Sequence, residues 1–537
     1  MKSWPAAPAC GLHHGVLSVP RNARFGRRFW RNLPAALILA AAGALGAAAA
    51  EPPVAGWPQF RGPDGSGVAV AALPPVKPDG GKPTWRTELS PGKSSPVLWG
   101  DQLFVTGVET GRLVTLALDA ETGAVRWNKA APEVSLESVH AANSAAASTP
   151  CVDALGVCVY FGSYGLLAYD QAGRELWRRA IPTPKSMYGV ATSPILDGNR
   201  LLLLLDDDEN LPGSKLSRSK LAAFDRTTGA PVWETARPYN RGAWSSPVLW
   251  RQEQGAELVA LGDGRVAGYD AATGTEKWYV GGFAREPIAL PVVGDGLLYV
   301  SVSLQGGRGD AELDVEPFWQ AMLQFDRNGD GRIGRDEITP QFTPPIRPEL
   351  APGHPGFGLP LDPDPVKRAK RQQEIFDRLD KNHDGFISKE EYTAQLSPGR
   401  GSPRLVAIRP GGSGDAAKSH IAWEIHQGIP EITSPVFHAG RLYLVRDGGT
   451  LTCVDAATGA IRYRERLNAP GQYSASPVIA RDQLYLLSAK GVLTVVPAGD
   501  HFAIAHQTDL GAPVVATPAF DARTLYVRTE TTVLAFR

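Results

Sequence analysis

Short apolar runs, broken every few residues by Gly, Pro, Asn or Asp, fill most of the chain after residue 90. Leu103-Phe104-Val105, Leu298-Tyr-Val-Ser-Val302 and Leu405-Val-Ala-Ile408 are typical, being too short for ordinary helices and rich in β-branched and aromatic side chains. Such runs predict buried strands joined by tight turns. The strands come in sets, and each set opens on a small residue, a proline and a hydrophobe. This opening occurs as Ser95-Pro96-Val97, Thr149-Pro150-Cys151, Ser193-Pro194-Ile195, Ser246-Pro247-Val248, Leu290-Pro291-Val292, Ser434-Pro435-Val436, Ser476-Pro477-Val478 and Thr517-Pro518-Ala519. Successive prolines are 54, 44, 53, 44, 144, 42 and 41 residues apart, so one interval carries about 100 extra residues.

A second element recurs later in each set, most clearly in Leu116-Ala-Leu-Asp-Ala-Glu-Thr-Gly-Ala-Val-Arg-Trp127. It returns as Asp225, Gly229, Trp233, as Asp270, Gly274, Trp278, as Asp455, Gly459, Tyr463, and one residue shorter as Asp170, Gly173, Trp177. An Asp at the start of such a turn accepts backbone N–H groups, the glycine takes the left-handed position, and the aromatic ring covers a neighbouring sheet. These residues read as structural.

Fixed-period repeats of about four strands describe propeller blades, small sheets that cannot bury both faces alone. The fold class expected is all-β: an eight-bladed β-propeller of four-stranded antiparallel blades with a small α-helical insertion. The last repeat ends at Phe536-Arg537 without its final strand, and Trp85-Arg-Thr-Glu88 precedes the first repeat and supplies it. The N-terminal part is therefore expected to complete blade eight and remove an exposed sheet edge. Residues 51–304 then form blades one to five (first part), 305–403 the insertion, and 404–537 the remainder of blade five through blade eight.

Together with the opening Gly56-Trp-Pro-Gln-Phe-Arg-Gly-Pro63, these repeats resemble the pyrroloquinoline-quinone-like (PQQ-like) β-propeller family over residues 56–304 and 404–537. The resemblance implies the fold. For activity it offers two directions, quinoprotein dehydrogenases acting on small alcohols or sugars and cofactor-free scaffolds of outer-membrane assembly. Dehydrogenases of the family stack the quinone on two adjacent, disulfide-bonded cysteines, and some carry a Cys-x-x-Cys-His haem site; the chain has neither, so PQQ is not expected. The scaffold relatives are lipoproteins, and Cys10, upstream of the apolar leader, cannot serve as their anchoring first residue.

The extra 100 residues hold the sharpest chemistry. Asp326-Arg-Asn-Gly-Asp-Gly-Arg-Ile-Gly-Arg-Asp-Glu337 and Asp380-Lys-Asn-His-Asp-Gly-Phe-Ile-Ser-Lys-Glu-Glu391 each place oxygen donors at positions 1, 3, 5 and 12, glycine at 6 and isoleucine at 8. Both resemble EF-hand loops. Calcium takes six to eight hard oxygens. Asp326, Asn328, Asp330, bidentate Glu337 and the Arg332 carbonyl would supply one site, with water beside Gly334. Asp380, Asn382, Asp384, Glu391, the Phe386 carbonyl and Ser388 would supply the second. Phe318, Met322 and Phe325 before one loop, and Ile375, Phe376 and Leu379 before the other, lie on single helix faces. Ile333 and Ile387 should bridge the loops, while Pro340 shortens the helix leaving the first.

The first 50 residues carry six basic side chains and no acid. Their basic flank, Arg27 to Asn32, apolar stretch, Leu33 to Gly46, and small Ala48 and Ala50 read as a cleaved signal peptide, 1–50, with an uncleaved membrane anchor as the alternative. An extracytoplasmic location, periplasmic or secreted, follows. The whole chain balances 55 basic against 55 acidic residues, which argues against a basic nucleic-acid-binding protein; without the leader, 49 bases face 55 acids. Six of those acids occupy the proposed calcium positions. Glycine and proline together number 103 of 537, and hydrophobic residues make up 43%, which excludes disorder.

A two-residue turn at Ala154-Leu155 would set Cys151 opposite Cys158, as a disulfide or as two small buried hydrophobes. His140 and Asn143 could line a channel mouth, with a hydrogen-bonded loop role for His140 ahead of a ligand or base; Asp206-Asp-Asp-Glu209 reads as a solvated acidic loop ahead of a cation site, and Trp244 and Trp423 as packing residues ahead of cofactor platforms. Zinc spacing, phosphate-binding glycine loops and nucleophile elbows do not occur. The reading reached is an exported calcium-binding propeller that acts by binding or assembly, toward a protein or carbohydrate ligand of the cell envelope, with a quinoprotein-like oxidoreductase as the rival.

Overall fold

The computed structural model describes residues 56–537 apart from 70–73, 75–81, 187, 210, 213–215, 239, 241, 243, 263, 285, 304–314, 346–351, 354–356, 359–360, 395–402 and 470. The leader assigned to a signal peptide lies outside the described residues. Eight antiparallel sheets follow one another, and the eight Pro-hydrophobe openings begin their eight innermost strands, from Val97–Trp99 in blade 1 to Ala519–Phe520 in blade 8. The inner strands are apolar on both sides because each is sandwiched between neighbouring blades: Gly156–Phe161 is buried at every position. Fourth strands such as Val125–Ala130 and Ile461–Arg466 are exposed at nearly every position, with only Trp127 and Tyr463 half-buried.

Ring closure follows the expected route. Trp85–Glu88 pairs antiparallel with Thr532–Phe536, Trp85 opposite Ala535 and Glu88 opposite Thr532, completing blade 8 from the other end of the chain. Arg528 clasps blade 8 to blade 1, its fully buried guanidinium donating to the carbonyls of Ser94 (3.0 Å) and Thr106 (2.6 Å).

The small residue before each proline does more than open a strand. The Ser95 amide donates to the Thr149 hydroxyl, Thr149 to Ser193, Ser193 to Ser246, Leu290 to Ser434, Ser434 to Ser476, Ser476 to Thr517, and Thr517 back to Ser95, at 2.8–3.1 Å. Seven of the eight blade junctions thus carry this amide-to-hydroxyl bond around the central channel, and at the eighth the Ser245 hydroxyl donates to the Ala289 carbonyl at 2.9 Å. The missing link falls between Ser246 and Leu290, where leucine offers no acceptor.

Blades are also hooked to one another at their rims. Tryptophans at the blade rims lie on the turn glycine of the next blade, so a β-carbon on that glycine would stand 2.5 Å from Trp85 (Gly123), 2.8 Å from Trp127 (Gly173), 2.5 Å from Trp177 (Gly229) and 2.7 Å from Trp423 (Gly459). The indole nitrogens of these four donate to carbonyls of the next blade, Ala120, Gln171, Arg226 and Ala456. These glycines have φ between 68° and 78°. The turn needs glycine twice, for its left-handed backbone and for space. In blade 5 the turn is replaced by an excursion whose Gly414–Asp415 strand pairs with Trp278 and Tyr279 of blade 4, and the Trp278 indole turns to Glu257 of its own blade instead.

Residues 56–69 cross the channel as a plug. Trp57 exchanges backbone bonds with Leu98 in blade 1, Val152 of blade 2 donates to the Pro58 carbonyl, and Val68–Ala69 runs parallel to Ile479–Ala480 in blade 7. Arg61 is wholly buried and donates to the carbonyls of Ser434 (3.1 Å), Pro435 (2.6 Å) and Gly65 (3.2 Å). Burial without a carboxylate partner pulls its pKa down to about 9.

The Ala154-Leu155 turn forms as expected, with Cys151 directly opposite Cys158. Both are buried free thiols, and burial pushes the Cys151 thiol up. Asp206–Glu209 departs from the solvated loop expected of it. Asp206 is 2% exposed and lies 3.6 Å from the equally buried Arg237, while Asp207 caps the amides of Lys185 and Glu209 and pairs with Arg218. The run is spent on holding blade 3 together, because the carboxylates fold back onto the amides and arginines around them.

Candidate metal centre and channel mouth

Between the second strand of blade 5, Leu297–Val302, and its third, Arg404–Ile408, the chain leaves the sheet to form α1 (Glu316–Met322), α2 (Pro365–Leu379) and α3 (Lys389–Ala394). Phe318, Met322 and Phe325 from the first segment and Ile375, Phe376 and Leu379 from the second share one core with Trp319, Phe342, Phe357 and Tyr392. Asp364 starts α2, its side chain accepting from the amides of Val366 (2.8 Å) and Lys367 (3.3 Å).

The two loops are built alike. In the first, Asp326 accepts the amides of Gly329 (2.6 Å) and Gly331 (2.8 Å), Asn328 that of Asp330, and Asp330 that of Arg332. Glu337, 2% exposed, reaches back across the loop to Arg327 (2.7 Å), Asn328 (3.1 Å) and Gly334 (2.8 Å). In the second, Asp380 holds Asp384 and Gly385, Asn382 holds Asp384, Asp384 holds Phe386, and Glu391 accepts from Lys381, Asn382, Ser388 and the Ser388 hydroxyl. Gly331 and Gly385 take φ of 79° and 88° at the sixth position. The isoleucines pair as expected: Ile333 faces Ile387 in a two-residue bridge, and both are fully buried.

Amide donors favour the ionised carboxylates that a cation requires. Burial opposes ionisation of Asp326, yet the amides of Gly331 and Gly329 hold its carboxyl below the ordinary range; Glu391 is held down likewise by Ser388 and Asn382. Among the described residues no three His, Cys, Asp or Glu side chains form a ready-made metal cluster. An EF-type site does not require one, because asparagine, a backbone carbonyl and water complete its oxygen shell. The donor set of both loops fits calcium.

Pro340 does shorten the exit from the first loop, which reduces to the 3₁₀ turn Arg335–Glu337. Gln372 of α2 compensates, its side-chain nitrogen lying 2.9–3.1 Å from the carbonyls of Thr339, Pro340 and Phe342. Phe342 then packs edge-on against Phe325, ring centres 5.2 Å apart. Periodicity could not show this tie, which depends on where the helix lies in space.

A second feature lies at the channel itself. Where the blade-to-blade connections meet the hydroxyl ring, a cavity of about 240 Å³ opens, floored by Phe60 of the plug. Asn143, Tyr188, Trp244, Glu286 and Lys93 line it. Trp244, read from sequence as packing, is buried but faces this cavity, with its indole nitrogen bonded to Gly189 (3.0 Å). Asn143 braces the wall by donating to the carbonyls of Tyr188 and Val190. His140 stands behind it, its ring 4.8 Å from that of Tyr188, and accepts the Ala142 amide. Trp423, read from sequence as packing, is a rim hook against Gly459. Glu286, Lys93 and Tyr188 carried no sequence signal, since each sits in a connection outside every repeat.

The model of the family described as outer membrane protein assembly factor BamB matches residues 22–210, 70–301 and 413–503, more than half of the chain. The chain belongs to this PQQ-like propeller family. The EF-hand family matches residues 320–339 and 372–396, covering both loops. No curated protein matches the chain in sequence. Among solved structures, BamB from Moraxella catarrhalis is 11% identical, covering 84% of this chain and 98% of its own, with a TM-score of 0.45. A europium-containing methanol dehydrogenase is 12% identical over 88% and 89%, TM-score 0.49, and the quinohemoprotein alcohol dehydrogenase of Comamonas testosteroni 12% over 90% and 80%, TM-score 0.41. At these scores the eight-bladed assignment rests on the sheet topology. As a PQQ-like propeller, the chain differs from an uninterrupted one in carrying the helical pair inside blade 5. No described helix is long and apolar enough to cross a membrane.

Proposed function

We propose that the protein is an exported calcium-binding propeller that works as a binding or assembly scaffold in the cell envelope, toward a protein or carbohydrate partner. One observation carries this reading: two EF-type loops fold as a single unit, bridged through Ile333 and Ile387 and sharing one core. Calcium, when bound, supplies charge that neutralises the clustered carboxylates and fixes both loops. Asp326, Asn328, Asp330, Glu337 and the Arg332 carbonyl would hold one ion; Asp380, Asn382, Asp384, Ser388, Glu391 and the Phe386 carbonyl the other. The short exit turn after the first loop and the Gln372 tie favour a constitutive, structural role over a sensor-like opening. Export is supported by the basic-then-apolar leader, and an envelope role by the description of the matching family.

Antiparallel meandering brings the second strand of blade 5 back to the face of the blade-to-blade connections, which supports placing the calcium unit over the channel mouth. Calorimetric titration of the full chain tests the metal reading. Two-site binding in the range of roughly 10⁻⁴–10⁻³ M expected of extracytoplasmic modules, lost one site at a time in Glu337→Gln and Glu391→Gln, is the expected result. Absence of binding below about 10 mM calcium would remove it.

A further inference from the structure

The channel mouth carries charged side chains that make no ion pair among the described residues. Glu286 accepts no hydrogen bond and makes no ion pair among the described residues, although it lines the cavity and is only partly exposed. Its backbone stands at φ 62°, a left-handed conformation that a non-glycine residue adopts at a cost. Tyr188 lies close enough for the Glu286 charge to help burial raise its phenol pKa, and Trp244 meets Tyr188 edge-on with ring centres 5.1 Å apart. A carboxylate beside two aromatic rings makes a receptor for an ammonium group.

Lys93 supplies the opposite sign. It precedes the first strand of blade 1, whereas Glu286 precedes that of blade 5, so an eight-membered ring sets them on opposite sides of the mouth. Lys93 makes no ion pair among the described residues; its ammonium donates to the Ala141 carbonyl at 3.0 Å. Between the two charges lies the hydroxyl ring. Each of its seven Ser and Thr side chains accepts an amide, and none donates to a protein acceptor among the described residues. Their O–H groups are left for whatever fills the channel, and carbonyl or carboxylate oxygen satisfies them.

We propose that this mouth binds a short zwitterionic peptide, its ammonium end at Glu286, Tyr188 and Trp244, its carboxylate at Lys93, and its carbonyls over the hydroxyl ring. The cavity, about 240 Å³, lies below the roughly 300–1,000 Å³ of drug-sized ligand sites, which limits the occupant to two or three residues. This site shares no residue with the calcium loops, so it stands apart from the metal reading.

Trialanine, N-acetyl-trialanine amide and glucose are titrated against the full chain by calorimetry and tryptophan fluorescence, with and without chelator. Trialanine is expected to bind, the blocked peptide to bind at least about tenfold more weakly, and chelator to change neither. Lys93→Met and Glu286→Gly should each weaken trialanine at least about tenfold. Glycine relieves the left-handed position, so an unfolding midpoint at or above that of the parent chain, combined with lost binding, separates ligand contact from folding. Equal binding of both peptides, binding of glucose alone, or no binding below about 10 mM would overturn the proposal.

Discussion

Replacing Gly229 by alanine probes how the blades are joined, because two separate penalties meet at that one atom. The backbone stands at φ 68°, where an L-residue costs about 1–2 kcal/mol. The new β-carbon would also lie 2.5 Å from the Trp177 ring of the preceding blade, which is anchored by its indole bond to the Arg226 carbonyl (2.9 Å) and cannot slide away freely. Overpacking of this kind costs about 1–3 kcal/mol, giving about 2–5 kcal/mol in all. Gly296 is the control: its φ is 77°, and a β-carbon there meets nothing within 4 Å, so Gly296→Ala carries the backbone cost alone. Urea unfolding of the two variants at equal m should place Gly229→Ala about 1–3 kcal/mol below Gly296→Ala. In a Trp177→Leu background that excess should disappear, since the two residues are coupled through direct contact. Equal destabilisation of the two single variants would refute the account of the hook.

Removal of residues 56–89 should abolish closure by stripping both the Trp85–Glu88 strand and the Arg61 plug; an unchanged melting temperature would count against the topology. Asp119 and Asp455 are both held down to about 2, the first by Arg126 and the second by the Thr458 hydroxyl and Arg462. A folded-state pKa below the unfolded value of about 3.9 contributes stability that is complete above that value and is lost as pH falls toward 2. The urea midpoint should therefore be flat above about pH 5 and drop below about pH 4, and the drop should be shallower in an Asp119→Asn, Asp455→Asn double variant.

Local chemistry made much of the protein readable in advance. Pro150 and its seven counterparts mark strand starts because the constraint lies in the residue itself, and the Asp-Thr-Gly turns are legible because their hydrogen bonds close within four residues. The EF-hand loops were legible for the same reason: twelve consecutive residues hold nearly every oxygen donor. Even ring closure showed, as a missing strand at one end of the chain and a spare one at the other.

What the sequence by itself determined, then, was every feature whose partners lie a few residues apart or recur at a fixed period. Only the tertiary structure decided the rest. It turned the small residues before the prolines into a belt of hydroxyls, because residues about 40–150 positions apart, and the first and last blades at Ser95 and Thr517, meet at one axis. It made a plug of Arg61, drew Asp206 into a buried pair with Arg237, and set Lys93 across the mouth from Glu286. Each of these depends on closing a long loop, and the free energy of such contacts comes from packing and burial that no local pattern encodes.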